Sequence, residues 1–306
     1  MSERKHQTAI AGSLLVVVVF WGGNNAGTKW LVASWPPLWT GGTRFLFAGL
    51  ILLAVLRFTH WLGDFRPLSW ELLRKLWWRG GFSLAIYMAL FCWALRLTAA
   101  AHVALYIGAS PIWALLVEGR PTRSWSSVRR YGAALLAVSG VAVLFWPALK
   151  SSGFNLAGEA CGLLASVLWA NYNHQSRILA RNLSGLEVAA HAMWMSGVWL
   201  VPLGVLEIVA AHGLRLDAPH LAVQGLCILF GGVVPYALWN SALRHWPTSR
   251  VMLFNNFIPL TTATWAHFTL KEPLTPTFLA AMLLIVAGVA LGQVDWAKIF
   301  HEPESF

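Results

Sequence analysis

The sequence predicts an all-α membrane protein, with ten transmembrane helices arranged as two inverted five-helix repeats. Three observations carry that expectation. The chain is 58% hydrophobic and only 11% charged, against about a quarter charged in a soluble domain, and its mean hydropathy is +0.61. The apolar residues come in long blocks, each near the roughly 20 residues that a hydrocarbon core ~30 Å thick requires. The chain also matches itself without a gap: Trp21 pairs with Trp169, Lys29 with Arg177, Ala94-Leu95-Arg96 with Ala242-Leu243-Arg244, Pro111 with Pro259 and Gly140 with Gly288, every pair 148 positions apart.

The apolar blocks place spans at 9–31, 36–57, 76–96, 98–118 and 128–147, then at 156–177, 187–210, 220–243, 248–270 and 274–294. The third is the weakest, because Arg79, Gly80 and Gly81 interrupt its start. The connections are short, so no separate soluble domain is expected. Residues 1–148 form the first repeat and 149–306 the second. Five spans per copy is an odd number, so the second copy enters the bilayer upside down relative to the first. The N-terminal block is longer than a signal h-region and lacks an Ala-x-Ala cleavage site, and it reads as a retained first helix.

Charge sets the orientation. With ten spans, Lys29, Arg96, Lys150, Arg215 and Lys271 fall on one side and Arg44 falls inside span 2, which leaves 16 of the 22 Lys and Arg on the side shared by both termini. Cytoplasmic segments carry the positive excess, so both termini are expected in the cytoplasm. The net charge of +10 does not form a basic stripe with interleaved aromatics, which argues against nucleic acid and for anionic lipid as the partner. Cys92, Cys161 and Cys227 are odd in number and lie in different apolar blocks, so neither a disulfide framework nor a metal site is expected, and nothing points to a cofactor.

Polar groups inside a bilayer must find partners or line water, so each is a candidate site. Span 1 supplies Asn24 and Asn25, and span 6 supplies Asn171, Asn173 and His174 at or beside the equivalent places. That correspondence predicts a facing polar pair at a pseudo-twofold axis, with helix-helix bonding as the alternative role. Trp21 and Trp169 sit in mid-span, away from the interfacial belts where most of the 19 Trp are expected, and offer an aromatic wall. Arg44, Tyr106, Trp113, Trp239, Asn255 and Asn256 complete the candidate lining. Pro111 and Pro259 each remove a backbone hydrogen bond in mid-span and are expected to act as gating hinges. Lys29 and Arg177 are expected to snorkel toward opposite interfaces. No Asp or Glu lies at mid-membrane, which favours a neutral or zwitterionic small molecule, its carboxylate met by amides or Arg44, over a strong cation.

In order along the chain, Phe20-Trp21-Gly22-Gly23-Asn24-Asn25 followed by Lys29, Pro37 with Arg44-Phe45, Ala94-Leu95 leading through Thr98-Ala99 to Pro111, Trp239-Asn240 with Ala242-Leu243-Arg244 before Pro259, and Lys271-Glu272-Pro273-Leu274-Thr275 resemble the EamA, or drug/metabolite transporter, superfamily. The Trp richness and the Trp-Gly-Gly-Asn-Asn stretch look most like its YddG-type amino-acid exporters. The resemblance covers nearly the whole chain. It implies two inverted five-helix repeats around a mid-bilayer cavity, in the bacterial inner membrane, exporting small metabolites by alternating access. The substrate expected is a neutral or zwitterionic metabolite, amino acids with aromatic or apolar side chains included, with drugs or nucleoside-like molecules as the alternative. An intramembrane lipid-modifying enzyme is a remote alternative, since no His-Glu-x-x-His, Gly-x-Ser-x-Gly, P-loop or Asp-rich metal motif occurs. Gly23/Gly27, Gly158/Gly162 and Gly288/Gly292 mark close helix packing inside a monomer, with a dimer as the alternative.

Overall fold

In a computed structural model, residues 3–58, 67–98, 100–118, 125–151, 156–211, 213–270 and 276–293 are described. The Lys271-to-Thr275 segment and the loop cations Arg66, Arg120, Arg123 and Lys298 lie outside them. Among the described residues there is no strand, and the helices fall into ten consecutive segments. These are α1 (Glu3–Val32), α2 (Pro37–Phe58), α3 (Trp70–Leu97), α4 (Ala100–Glu118), α5 (Trp125–Ser151), α6 (Leu156–Leu179), α7 (Gly185–Ala210), α8 (Ala218–His245), α9 (248–270) and α10 (Pro276–Gln293). Five of them, α1, α2, α3, α7 and α8, are long and apolar enough to cross a membrane. Leu206, Val209 and Leu283 are more than 60% exposed, outward apolar side chains of the kind that a helix facing lipid carries.

Local chemistry fixes the ends. Ser184 and Glu187 form a reciprocal capping box at the start of α7, and Asp217 accepts the His220 amide N–H at the start of α8. Beyond α7, Gly213 turns at φ +147° and donates its N–H back to the Ile208 carbonyl, a closure that suits a residue without Cβ.

Contacts recur at the sequence offset. At Gly49 of α2 an added Cβ would meet the Trp194 amide at 2.3 Å, and at Gly197 of α7 it would meet Leu46 at 2.5 Å; both partners in each pair differ by 148. Gly140 lies against Ala281 and Ile285, and Gly288 against Ala133 and Ala137, by the same relation between α5 and α10. Small residues let these backbones approach where dispersion, not the hydrophobic effect, must hold helices together. Gly23 and Gly27 pack on Trp265 and Cys227, and Gly158 and Gly162 on Leu97 and Tyr106, so these glycines are also used within the chain.

Lys29 and Arg177, expected to snorkel toward opposite interfaces, each reach the end of a neighbouring helix. Lys29 Nζ donates to the carbonyls of Leu95 and Thr98 at 2.5 and 2.9 Å, and Arg177 donates to those of Leu243 and Trp246, again 148 positions later. Each cation satisfies the orphan carbonyls at the end of a neighbouring helix, α3 or α8, and complements its dipole.

Regular α-helical hydrogen bonding is interrupted at places other than the two prolines. Both α3 and α8 contain a π-helical turn, at Leu76–Phe82 and Cys227–Val233, each with a Gly-Gly pair, Gly80-Gly81 and Gly231-Gly232. Pro111 lies buried inside α4. Pro259 follows a 3₁₀ turn, Leu253–Phe257, which tightens α9 immediately before the missing donor.

Candidate functional site

Seven helices converge on a central cavity of ≈ 30 Å³, enough for about one or two waters. Of the residues singled out from the sequence, α1 brings Trp21, Asn24 and Asn25 to it, α2 brings Arg44, α6 brings Trp169 and α9 brings Asn255. Tyr87, Met88, Phe91 and Tyr236, which sequence reasoning passed over, complete most of the wall. The signal for them was their position in mid-span of α3 and α8, one helix away from the motifs that drew attention.

The wall is aromatic because rings from both halves meet there. Trp21 and Trp169 stand edge to face with centroids 5.4 Å apart. Tyr87 lies 4.9 Å from Trp169, and Tyr236 stands 5.6 Å from Trp21. Such pairs hold their geometry through the ring quadrupole. Trp21 also donates its indole N–H to the Gly231 carbonyl at 3.1 Å, in the π turn of α8.

The electrostatics turn on Arg44, which is 2% exposed. Its guanidinium donates to Asn24 Oδ1 at 3.1 Å, to Thr28 Oγ1 at 2.9 Å and to Met88 Sδ at 2.8 Å. All three are neutral acceptors, and Nε has no partner. Among the described residues no carboxylate pairs with it. A buried cation with only dipoles around it is costly, and Arg44 sits in the lining of the cavity in that condition.

The remaining candidates go elsewhere. Asn173 is fully buried; its amide donates to the Trp169 carbonyl at 2.6 Å and its Oδ1 accepts the Trp239 indole N–H, so this pair bonds α6 to α8 and lies off the cavity lining. Asn171 donates to Ser83 Oγ at 3.2 Å. Tyr106 donates to Glu159 Oε2 at 2.8 Å, and Trp113 to Ser166 Oγ at 3.1 Å, both across the α4–α6 contact. His174 is half-buried with Nδ1 unpartnered, and Asn256 donates to the Leu253 carbonyl at 3.0 Å; neither lines the cavity. A groove of ≈ 470 Å³ lies between α1, α8 and α9, lined by Phe20, Gly27, Phe230 and Trp265 and touching Asn24. No cluster of His, Cys, Asp and Glu fit for a metal occurs among the described residues.

The family model described as the EamA-like transporter family matches the chain twice, over residues 9–146 and 156–292. An uncharacterised inner membrane transporter, YedA, of Escherichia coli K12 is 27% identical over 94% of this chain and 86% of its own length. A probable amino-acid metabolite efflux pump of Salmonella typhimurium is 24% identical over 90% of this chain and 91% of its own. A crystal structure at 16% identity superposes with a TM-score of 0.72 over 94% of this chain and 97% of the other, which shows the fold alone.

Proposed function

The chain belongs to the EamA-like transporter family, and from that premise we propose that it exports small zwitterionic metabolites, amino acids with apolar or aromatic side chains above all. The supporting observation is Arg44: a buried guanidinium with neutral partners only, set in an aromatic-walled cavity. A carboxylate supplies the missing anion, and the rings of Trp21, Trp169 and Tyr236 accept an apolar side chain. The name of the Salmonella relative points to the same substrate class and to efflux.

In this reading the described helices form ten spans in the bacterial inner membrane, as two inverted repeats, 1–148 and 149–306, with both termini cytoplasmic. The recurrence of contacts at one offset supports two equivalent halves, and exchange of their conformations opens the cavity to alternate sides. A space of ≈ 30 Å³ is too small for an amino acid, so loading requires the walls to part, and the glycine-bearing π turns of α3 and α8 are places where they bend.

The test is counterflow in proteoliposomes of the purified protein against amino acids, nucleosides and cationic dyes. Apolar and aromatic amino acids should exchange fastest. A preference for cationic dyes would make the protein a drug exporter with a cation-binding cage. Reporters active only in the cytoplasm should give signal at both termini.

A further inference from the structure

Three polar atoms on residues lining the central cavity have no hydrogen-bond partner: Arg44 Nε, Trp169 Nε1 and Asn255 Oδ1. All three residues are at least nine-tenths buried, at 2%, 2% and 0% exposure. Buried polar groups in native folds are nearly always paired, and these three belong to residues of one lining, where a polar ligand would satisfy them. Their chemistry is divided. Arg44 and Trp169 offer donors, one of them on a cation, and Asn255 offers an acceptor.

The division is also spatial. Arg44 belongs to α2, which packs chiefly on α3, α7 and α8, whereas the Asn255 turn of α9 packs on α1, α4 and α10. Asn255 is held by its own amide, which donates to Ser110 Oγ of α4 at 3.0 Å, so its carbonyl oxygen is left over by a fixed geometry. The equivalence of the two halves breaks at this ring: the indole N–H of Trp21 donates to the Gly231 carbonyl, whereas that of Trp169, 148 positions on, has no acceptor.

We propose that this cavity reads both ends of an α-amino acid: Arg44 Nε and Trp169 Nε1 take the carboxylate, and Asn255 Oδ1 takes an N–H of the ammonium. The inference rests on the transport function proposed above and adds that the ammonium is recognised, so carboxylates without an amine and amines without a carboxylate are both poor ligands. A site built to bond a polar group rejects the analogue lacking it because its own buried atoms stay unpaired.

The experiment is competition against counterflow of labelled L-phenylalanine in proteoliposomes, with 3-phenylpropionate and phenethylamine as competitors. For the wild-type protein each truncated analogue should compete at least ~10-fold more weakly than unlabelled L-phenylalanine, the factor expected when one buried bond of about 1.4 kcal/mol is lost. Trp169→Phe keeps a ring and removes the N–H, and should weaken L-phenylalanine and 3-phenylpropionate while leaving phenethylamine unchanged. Asn255→Asp should improve phenethylamine at least ~10-fold relative to 3-phenylpropionate. If 3-phenylpropionate matches L-phenylalanine on the wild-type protein, ammonium recognition is wrong and the carboxylate reading of Arg44 stands. Absence of L-phenylalanine counterflow, with dyes or nucleosides exchanged instead, would overturn the transport proposal itself. The wild-type competition needs no variant, so a substitution that fails to fold leaves the test intact.

Discussion

Trp21 donates its indole N–H to the Gly231 carbonyl at 3.1 Å, whereas the N–H of Trp169, its equivalent 148 positions on, has no partner. One half of the aromatic wall is therefore tied to the π turn of α8, and the indole N–H of the other half is buried and unpaired. The tie depends on close approach, because a Cβ at Gly231 would stand 2.0 Å from Asn24 Oδ1.

Gly231→Ala should push Asn24 off Arg44 and disturb the wall. Overpacking of this kind costs roughly 1–3 kcal/mol, so the thermal midpoint of the detergent-purified protein should fall together with flux per folded molecule. Gly132→Ala, where an added Cβ meets nothing within 4 Å, is the control: it should leave flux unchanged and hold or raise the midpoint, since Ala favours a helix interior over Gly. Equal behaviour of the two variants would mean that the Trp21–Gly231–Asn24 contact is slack.

Arg44→Met removes an uncompensated buried charge and keeps the length and much of the volume of the side chain. Replacing buried charge by a hydrophobic residue is often neutral or stabilising, so the thermal midpoint should hold or rise. Counterflow of amino acids should fall at least ~10-fold, as expected when a charge-assisted bond worth about 1.5–3 kcal/mol is lost. A less stable protein with unchanged specific flux would assign Arg44 to the fold.

Lys29→Met and Arg177→Met should act alike. Each leaves buried carbonyls at a helix end without their cation, at Leu95 and Thr98 or at Leu243 and Trp246, a loss of about 1–3 kcal/mol. The two clamps share no partner, so thermal shifts of the single variants should add in the double variant. Neither shift should appear if the cations only extend to the interface.

Asp217, in the turn before α8, has its carboxyl held below the usual range, chiefly by the His220 amide N–H and then by the His220 ring. A depressed folded value means that its contribution is fully present above the ordinary carboxylate range, about 3.9, and is lost as pH falls through the lowered value. Asn also caps helices, so Asp217→Asn removes only the charged part. The wild-type and variant midpoints should differ at neutral pH and converge on acidification; a gap that persists into acid would show that charge is not what the cap uses.

The ten helical segments were legible because length and hydropathy are local properties and because a bilayer leaves helices as the spanning form for an apolar chain of this kind. The repeat was legible too, as Gly49/Trp194 and Gly197/Leu46 show: one packing solution used twice keeps its small residues at one offset. Equivalence in sequence did not give equivalence of role. Asn25 lines the cavity, yet Asn173, its partner at that offset, is taken up by Trp239, because the residue 148 positions before Trp239 is Phe91, which has no N–H to offer. Tyr106 and Trp113 went the same way, captured by Glu159 and Ser166 on α6. The sequence by itself determined which residues are polar or aromatic at mid-membrane. Only the tertiary structure decided which of their valences are spent between helices and which stay unpaired, since partners such as Trp113 and Ser166 or Trp21 and Gly231, 53 and 210 residues apart, are chosen by helix packing and leave no trace in local pattern.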